Sequence, residues 1–250
     1  MRLASLQSMW MRWRGFVWVN RSIFKAVTSM HRQISLPTEV FMIRLVFLAL
    51  FAALLSGCAY NVQPSSTQAV NIYTTYDQKI KGKWILVMDP SLKDVNKQVK
   101  PSSYVCGAHT YPVATGDSLA TSVKRTMLAV FEDVVEQNSL PPADALAAAG
   151  AKGTILVRLE DFTPKLTCSM GFWSGTCTAQ ADIGFGVTVR IGSESVLSTQ
   201  VMGSKSADGD AGGACSGGSA VLAEGITKST RDALERLAER VSNSQRLRNG

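Results

Sequence analysis

Alternation of apolar and polar residues is strongest in the second half of the chain, where it predicts three strands. From Ala181 to Ile191 apolar residues occupy every second position, which is typical of a strand with one buried face. Residues 154–162 and 196–202 show shorter runs of the same kind. The strands at 154–162 and 181–191 flank a Gly-containing loop, so we expect them to form an antiparallel hairpin. An apolar run at residues 84–88 predicts an earlier strand.

Two segments show apolar side chains at three- and four-residue steps, which is typical of amphipathic helices. The first precedes Pro141-Pro142, which stop it. Its predicted apolar face consists of Leu119, Val123, Met127, Val130, Phe131 and Val134. The second follows a predicted Gly-rich loop at residues 203–218, and its apolar face consists of Leu222, Ile226, Ala233, Leu234, Leu237 and Val241. Residues 143–149 are Ala-rich and match neither pattern well.

The order of these elements is β-α-β-β-β-α, which predicts an α+β fold. Hairpin-connected strands form an antiparallel sheet, and both helices are expected to pack on one face of it. The pattern places a single domain at residues 81–241. We expect the preceding residues 58–80, rich in Ser, Thr, Gln and Asn, to be a polar tether, and the polar residues 242–250 to fray.

Residues 42–57 have the three parts of a secretory signal peptide. A basic start at Met42-Ile43-Arg44 is followed by 11 apolar residues and then by small residues. The apolar run is shorter than the about 20 residues that a membrane-spanning helix needs. Because this signal is complete from Met42 onward, we interpret residues 1–41 as an over-extended N-terminus. The alternative is a basic, aromatic helix on a membrane surface.

The segment Leu55-Ser56-Gly57-Cys58 resembles the lipobox of bacterial lipoproteins. The resemblance implies cleavage before Cys58 and acylation of that residue with fatty acids such as palmitate. In enteric members of this family an Asp after the Cys retains the protein at the inner membrane, and here that residue is Ala59. The resemblance therefore implies a lipid anchor in the outer membrane, on its periplasmic face.

The net charge of +7 suggests an anionic partner, but its distribution along the chain does not. Seven basic residues and one acidic residue precede Cys58, which leaves 19 basic and 18 acidic residues in the rest of the chain. The predicted mature protein is therefore nearly neutral, and it has no cluster of Lys or Arg interleaved with aromatic residues. Its composition argues against binding of nucleic acid.

Four cysteines remain once Cys58 is assigned to the lipid, and an even number in an exported chain predicts disulfides. Three pairings are possible. Cys168 and Cys177 enclose the loop of the predicted hairpin and are expected to close it with their own bridge. That leaves Cys106 to pair with Cys215. The alternatives, free thiols or a metal site, are disfavoured because the chain has no Cys-x-x-Cys, and we expect neither metal nor cofactor.

Candidates for catalysis are few. His109 is the one histidine after the predicted signal, so a hydrolase would need it together with Cys215 or Ser216. A disulfide at Cys215 and a structural role of His109 are the simpler interpretation. The pair Phe172 and Trp173, in the loop of the predicted hairpin, is a candidate contact with a protein partner or a lipid surface. Packing of this pair onto the core is the alternative.

The order of elements across most of the mature chain resembles that of small envelope lipoproteins. These include the lipopolysaccharide-assembly lipoprotein and the auxiliary lipoproteins of lipid-transport ABC systems. We therefore expect a non-catalytic, lipid-anchored periplasmic accessory protein of envelope biogenesis or transport, with the membrane and an envelope protein as its partners. The alternative is a periplasmic module that binds a lipid or glycan between helices and sheet.

Overall fold

The computed structural model describes residues 59–93, 95–171 and 174–249, which form seven strands and four helices. The strands are β1 (Ile80–Met88), β2 (Asn96–Val99), β3 (Tyr111–Ala114), β4 (Phe131–Gln137), β5 (Ala151–Met170), β6 (Gly175–Ile191) and β7 (Glu194–Asp210). The helices are α1 (Ser118–Val130), α2 (Ala143–Ala148), α3 (Gly218–Ser242) and α4 (Gln245–Asn249). None of these helices has the length and apolar character that crossing a membrane requires. Residues 1–57, Cys58, Phe172 and Trp173 lie outside the described residues.

The main sheet has five strands in the order β4-β1-β5-β6-β7 and mixes parallel and antiparallel pairs. β5, β6 and β7 pair antiparallel, as the alternation predicts. β1 lies inside the sheet and pairs parallel with β4 and with β5. The prediction of an antiparallel sheet is therefore wrong around β1, because a short apolar strand does not reveal the direction of its partners. β2 and β3 form a separate antiparallel ribbon.

The two parallel connections place their helices on opposite faces of the sheet. α1 connects β1 to β4, whereas α2 leads from β4 to β5 on the other side of β1. Connections between parallel strands are right-handed. The step from β1 to β4 and the step from β4 to β5 run in opposite directions across the sheet, so their helices lie on opposite faces. Leu86 of β1 packs in the main core, while its neighbours Ile85 and Val87 cluster with Leu146 of α2. The prediction of two helices on one face is correct for α1 and α3 but omits α2.

The main core lies between the sheet and the helices α1, α3 and α4. Its largest fully buried side chains are Trp84, Tyr111, Phe131 and Phe185. The ring centroids of Trp84 and Phe131 are 5.1 Å apart, so these two aromatics join β1 to β4.

Helix α3 approaches the sheet most closely where glycines lie between them. A β-carbon at Gly203 of β7 would lie 2.3 Å from the carbonyl oxygen of Ser229 and 2.4 Å from the backbone nitrogen of Ala233. At Gly225 of α3, a β-carbon would lie 3.2 Å from that of Ala179 in β6. The helix and the sheet are therefore in direct contact, with no room for a side chain at Gly203.

The first predicted helix is too long, because β4 begins where the apolar spacing continues. α1 ends at Val130, and Phe131 and Val134 belong to the strand. They pair with Ile80 and Trp84 of β1, respectively. Tertiary pairing therefore decides the local structure of a segment whose spacing fits a helix.

The hairpin strands extend well beyond their predicted ends. β5 and β7 have 20 and 17 residues, and β7 includes the first half of the predicted Gly-rich loop at 203–218. Glycine in a strand indicates close approach of another backbone, and at Gly203 this is α3. Only residues 211–217 remain as a loop before α3, and they include a short 3₁₀ turn at Gly213–Cys215.

The predicted polar tether is packed against the domain in its described part. Val62 and Ala69 are buried in the main core. The backbone N–H of Thr67 donates to the hydroxyl of Ser122 at 2.9 Å, and that of Ala69 donates to the hydroxyl of Thr126 at 3.2 Å. The segment is therefore held along α1 by buried apolar side chains and by hydroxyl groups of the helix.

The predicted frayed tail forms α4. Leu247 is fully buried, and the guanidinium of Arg248 lies 4.0 Å from the centroid of the Tyr76 ring. The same guanidinium donates to the carbonyl oxygen of Ser242 at 2.8 Å. One apolar residue and one cation–π contact thus order a segment whose composition predicts fraying.

Candidate functional site

The described chain starts beside the loop that precedes β3. The backbone N–H of Tyr60 donates to the carbonyl oxygen of Thr110 at 3.0 Å, and that of Val62 donates to Pro112 at 2.9 Å. Ala59 and Val62 form isolated parallel bridges with Thr110 and Val113. The residue next to the predicted lipidation site is therefore fixed on the domain by backbone hydrogen bonds.

Two disulfides lie at the same end of the sheet. The structure joins Cys106 to Cys215, with α-carbons 5.7 Å apart, and Cys168 to Cys177, with α-carbons 4.0 Å apart. Both pairs match the sequence prediction. Cys168 and Cys177 lie directly opposite each other in β5 and β6. The sulfur atoms of Cys106, Cys168 and Cys177 lie within 4.8 Å of one another, so the two bridges are in contact.

We call this region the disulfide end and define it as the described residues of segments 101–110, 168–177 and 209–217. Its loops are joined by hydrogen bonds: the N–H of Ser102 donates to the carbonyl oxygen of Leu166 at 2.9 Å, and that of Cys168 donates to the Ser103 hydroxyl at 2.8 Å. An open cavity of about 490 Å³ is lined by residues of all three segments, among them Cys106, Met170 and Ala214.

Two tyrosines hold the loop at residues 211–217. The hydroxyl of Tyr60 donates to the carbonyl oxygen of Ala214 at 2.8 Å, and that of Tyr111 donates to Cys215 at 2.6 Å. Cys106, Ala214 and Cys215 all have a positive φ, of 61°, 50° and 66°, which non-glycine residues rarely adopt. The tyrosine hydrogen bonds and the disulfide together keep the loop in this conformation.

Burial raises the pKa of Tyr111 above its ordinary value of 10.0, and the nearby Tyr60 adds to this effect. The folded protein therefore keeps the phenol proton at a pH where the unfolded chain loses it. Consequently Tyr111 contributes stability that is fully present below about pH 10 and is lost as the pH rises further.

We expect Tyr111→Phe to lower the free energy of unfolding near pH 8 by about 1–2 kcal/mol, because the Cys215 carbonyl loses its donor. Above about pH 10 the difference between the two proteins should shrink, since the wild type alone loses the contribution of the protonated phenol. Urea unfolding at both pH values measures this. Tyr104→Phe, on a fully exposed ring, is the matched control and should leave stability unchanged. An equal loss at both pH values would contradict the assignment.

The three residues considered for catalysis, Cys215, His109 and Ser216, all lie at the disulfide end. The sulfur of Cys215 is bonded to Cys106, so it is not a thiolate nucleophile. The ring of His109 lies 5.5 Å from that of Tyr60, and its buried Nδ1 has no hydrogen-bond partner among the residues that the structure describes. The carbonyl oxygen of Ser216 accepts a hydrogen bond from the Ser219 hydroxyl at 2.8 Å.

The predicted contact pair, Phe172 and Trp173, lies outside the described residues, but its neighbours are placed. The backbone N–H of Gly171 donates to the carbonyl oxygen of Ser174 at 2.8 Å and closes the β5–β6 hairpin. Met170, the last residue of β5, is 72% exposed. The hairpin tip is thus part of the disulfide end.

A second open groove, of about 690 Å³, lies between β7 and α3. Its lining includes Gln200, Met202, Arg236, Arg240 and Asn243. Arg236 also donates to Asp232 at 3.3 Å, so part of the positive charge is paired.

Sequence reasoning missed the roles of Tyr60 and Tyr111. Tyr60 lies in the predicted polar tether, and Tyr111 lies between the predicted strand at 84–88 and the first predicted helix. The only local signal is the alternation of Tyr111 with Val113. Their partners lie more than 100 residues away in the chain, which is a relation that local patterns do not report.

No known family model matches the chain, and no curated protein matches it. Among solved structures, protein XCC0632 from Xanthomonas campestris, described with the family model DUF330, is 12% identical at a TM-score of 0.44, covering 72% of this chain and 92% of that one. A structure described as a homolog of neuraminyllactose-binding hemagglutinin from Helicobacter pylori is 6% identical at 0.35, covering 68% and 91%. The hypothetical protein CT253 from Chlamydia trachomatis is 10% identical at 0.32, covering 64% and 98%. At these values the likenesses carry no functional argument.

Proposed function

We propose that this protein is a non-catalytic accessory protein of envelope biogenesis or transport, anchored by lipid on Cys58 to the periplasmic face of the outer membrane. The observation that carries the proposal is the position of Ala59, which is bridged to Thr110 at the disulfide end. Acyl chains on the preceding residue would hold the folded domain directly at the membrane. The lipobox resemblance of residues 55–58 supplies the chemistry of the anchor.

A non-catalytic role is supported by the use of the candidate nucleophile. The sulfur of Cys215 is bonded to Cys106, and its carbonyl oxygen accepts a hydrogen bond from the Tyr111 hydroxyl. Both groups therefore stabilise the loop at residues 211–217. The proposed partners are the membrane and an envelope protein complex. The near-neutral charge after Cys58 does not favour nucleic acid.

The alternative function, a lipid or glycan module with its site between helices and sheet, has less support. That interface is filled by fully buried side chains, including Ile183, Phe185, Leu222 and Leu234. At Gly203 the helix backbone approaches too closely for even a methyl group. A ligand would instead have to use a surface groove, such as the one between β7 and α3.

We expect Cys58→Ala to abolish incorporation of radioactive palmitate and to release the protein from the membrane fraction. The reason is that stable anchoring needs two or more acyl chains, and the lipobox cysteine is their attachment point. Labelling in cells, followed by separation of inner and outer membranes, measures both effects. Ser56→Ala, which keeps a small residue at that position, is the matched control and should retain the label. A labelled Cys58→Ala protein would contradict the anchor.

The accessory role is tested by cross-linking in intact envelopes, followed by purification of the lipidated protein. We expect one envelope protein complex to be recovered in stoichiometric amount. Recovery of a bound lipid or glycan without any protein would favour the binding module instead.

A further inference from the structure

We infer that the disulfide end is a second membrane contact, lying in the interfacial layer of a lipid bilayer beside the acylated cysteine. The inference rests on the proposed lipid anchor and adds to it a fixed orientation of the domain. Three independent features of the molecule support a lipid surface as the occupant: where the chain enters the domain, the charge of the loops and the exposed side chains.

The path of the chain brings the anchor to this end. Ala59 is bridged to Thr110, and the Tyr60 hydroxyl donates to Ala214 at 2.8 Å. Cys58 directly precedes Ala59 in the sequence. Acyl chains on Cys58 therefore start within one residue of the disulfide end. Because the acylated cysteine lies at the boundary between headgroups and acyl chains, the loops around it are held at the same depth.

The disulfide end carries almost no charge. Its 27 described residues include one charged side chain, Asp210, whereas about five would be expected from the 18% of the whole chain. The carboxylate of Asp210 accepts the backbone N–H of Gly212 at 2.6 Å. Charged side chains are the most costly to move out of water, so loops that lack them enter an interface at low cost. Because the disulfide end has no Lys or Arg, the inferred membrane contact does not depend on attraction to anionic lipids.

Amphipathic side chains are exposed at this end. Met170 is 72% exposed and Tyr104 is fully exposed. Phe172 and Trp173 follow Met170 by two and three positions in the sequence. Tyr and Trp favour the membrane–water interface because their rings are apolar and their polar groups remain hydrated.

The hairpin also sets the distance of the rest of the domain from the membrane. β6 runs from Gly175 at the disulfide end to Ile191, and 17 residues of strand span roughly 55 Å. The β6–β7 turn at Gly192 and Ser193 is therefore at the opposite end. With the disulfide end in the interface, this turn projects away from the membrane.

Two tryptophans make the inference testable without added labels. After Cys58 the chain contains only Trp84, which is fully buried, and Trp173, which lies in the sequence between the hairpin residues Gly171 and Ser174. We expect brominated acyl chains to quench Trp173 when the purified lipidated protein is reconstituted in phosphatidylcholine vesicles, more strongly with bromine near the headgroups than near the bilayer centre. In Trp173→Phe the remaining emission of Trp84 should be unaffected by bromine.

The matched control places a tryptophan at the opposite end, as Ser193→Trp in the Trp173→Phe background, where Ser193 lies in an exposed turn. Its emission should not be quenched. Unquenched Trp173 in palmitate-labelled, vesicle-bound protein would overturn the inference while leaving the anchor intact. Equal quenching at both ends would also overturn it, because the domain would then lie flat. Unlabelled protein that stays in the supernatant would overturn the anchor itself, and the inference with it.

Discussion

Removal of the Cys106–Cys215 disulfide by substitution of both residues with Ala is expected to lower the free energy of unfolding by about 3–5 kcal/mol. The bridge spans 109 residues, for which the loss of chain entropy in the unfolded state amounts to about 4.8 kcal/mol. Release of left-handed backbone strain at the two cysteines reduces this value. The Tyr111 hydrogen bond to residue 215 limits the reduction, because it holds the loop in either case.

The matched control is removal of the second bridge, as Cys168→Ala with Cys177→Ala. This bridge spans 9 residues, and its entropic contribution is about 2.6 kcal/mol. The strands on both sides of it remain paired, so its removal should leave the hairpin in place. Urea unfolding of both variants in detergent gives the comparison. A larger loss for the short bridge would show that strain, rather than loop length, governs the stability of this end.

Gly203→Ala is expected to destabilise the protein by about 3 kcal/mol or more, although it adds a single methyl group. The new β-carbon would lie 2.3 Å and 2.4 Å from backbone atoms of Ser229 and Ala233, and backbone cannot rotate away. α3 must therefore move off β7, which also weakens the hydrogen bond from the Lys205 N–H to the Ser229 hydroxyl, now 3.0 Å. Thermal unfolding and near-UV circular dichroism measure the loss of stability and of core packing.

Gly213→Ala is the matched control for this substitution. A β-carbon at Gly213 would have no neighbour within 4 Å, and its φ is not positive. Its effect should lie within about 1 kcal/mol, in either direction, because only the entropy of the unfolded chain changes. Similar effects at the two glycines would mean that the contact between α3 and β7 is not tight.

The hairpin, its own bridge and most of the two long helices could be predicted from local pattern, and the Cys106–Cys215 bridge followed by elimination. The alternation from Ala181 to Ile191 and the cysteines around a Gly-containing loop report directly on a strand and its turn. Strand β4 could not be predicted, because Phe131 and Val134 continue the helical spacing and their pairing with β1 is a tertiary effect. The parallel direction of β1 is equally invisible, since its apolar run is compatible with either direction.

In the candidate site, too, single residues could be predicted from the sequence, whereas contacts between residues far apart in the chain could not. The cysteines that define the disulfide end are recognisable in the sequence, and the predicted lipidation site precedes Ala59. The contacts that bring them together are not recognisable, because Tyr60 and Tyr111 reach Ala214 and Cys215 across 154 and 104 residues, respectively. Glycines at 203 and 209 predict a loop, whereas in the structure Gly203 allows the approach of a helix.

The Cys168–Cys177 bridge lies, in the sequence, inside the loop closed by Cys106–Cys215, and this order affects oxidation of the nascent chain. Cys106 and Cys215 enclose the other pair, so in the proposed periplasmic protein the first two of these four cysteines to enter the oxidising compartment, Cys106 and Cys168, are not native partners. An oxidase that joins thiols in order of arrival produces a mispaired species, which thiolate attack must rearrange. Because the sulfurs of Cys106, Cys168 and Cys177 end within 4.8 Å of one another, such a species can stay close to the native geometry. Maturation of this protein is therefore expected to depend on a disulfide isomerase as well as an oxidase.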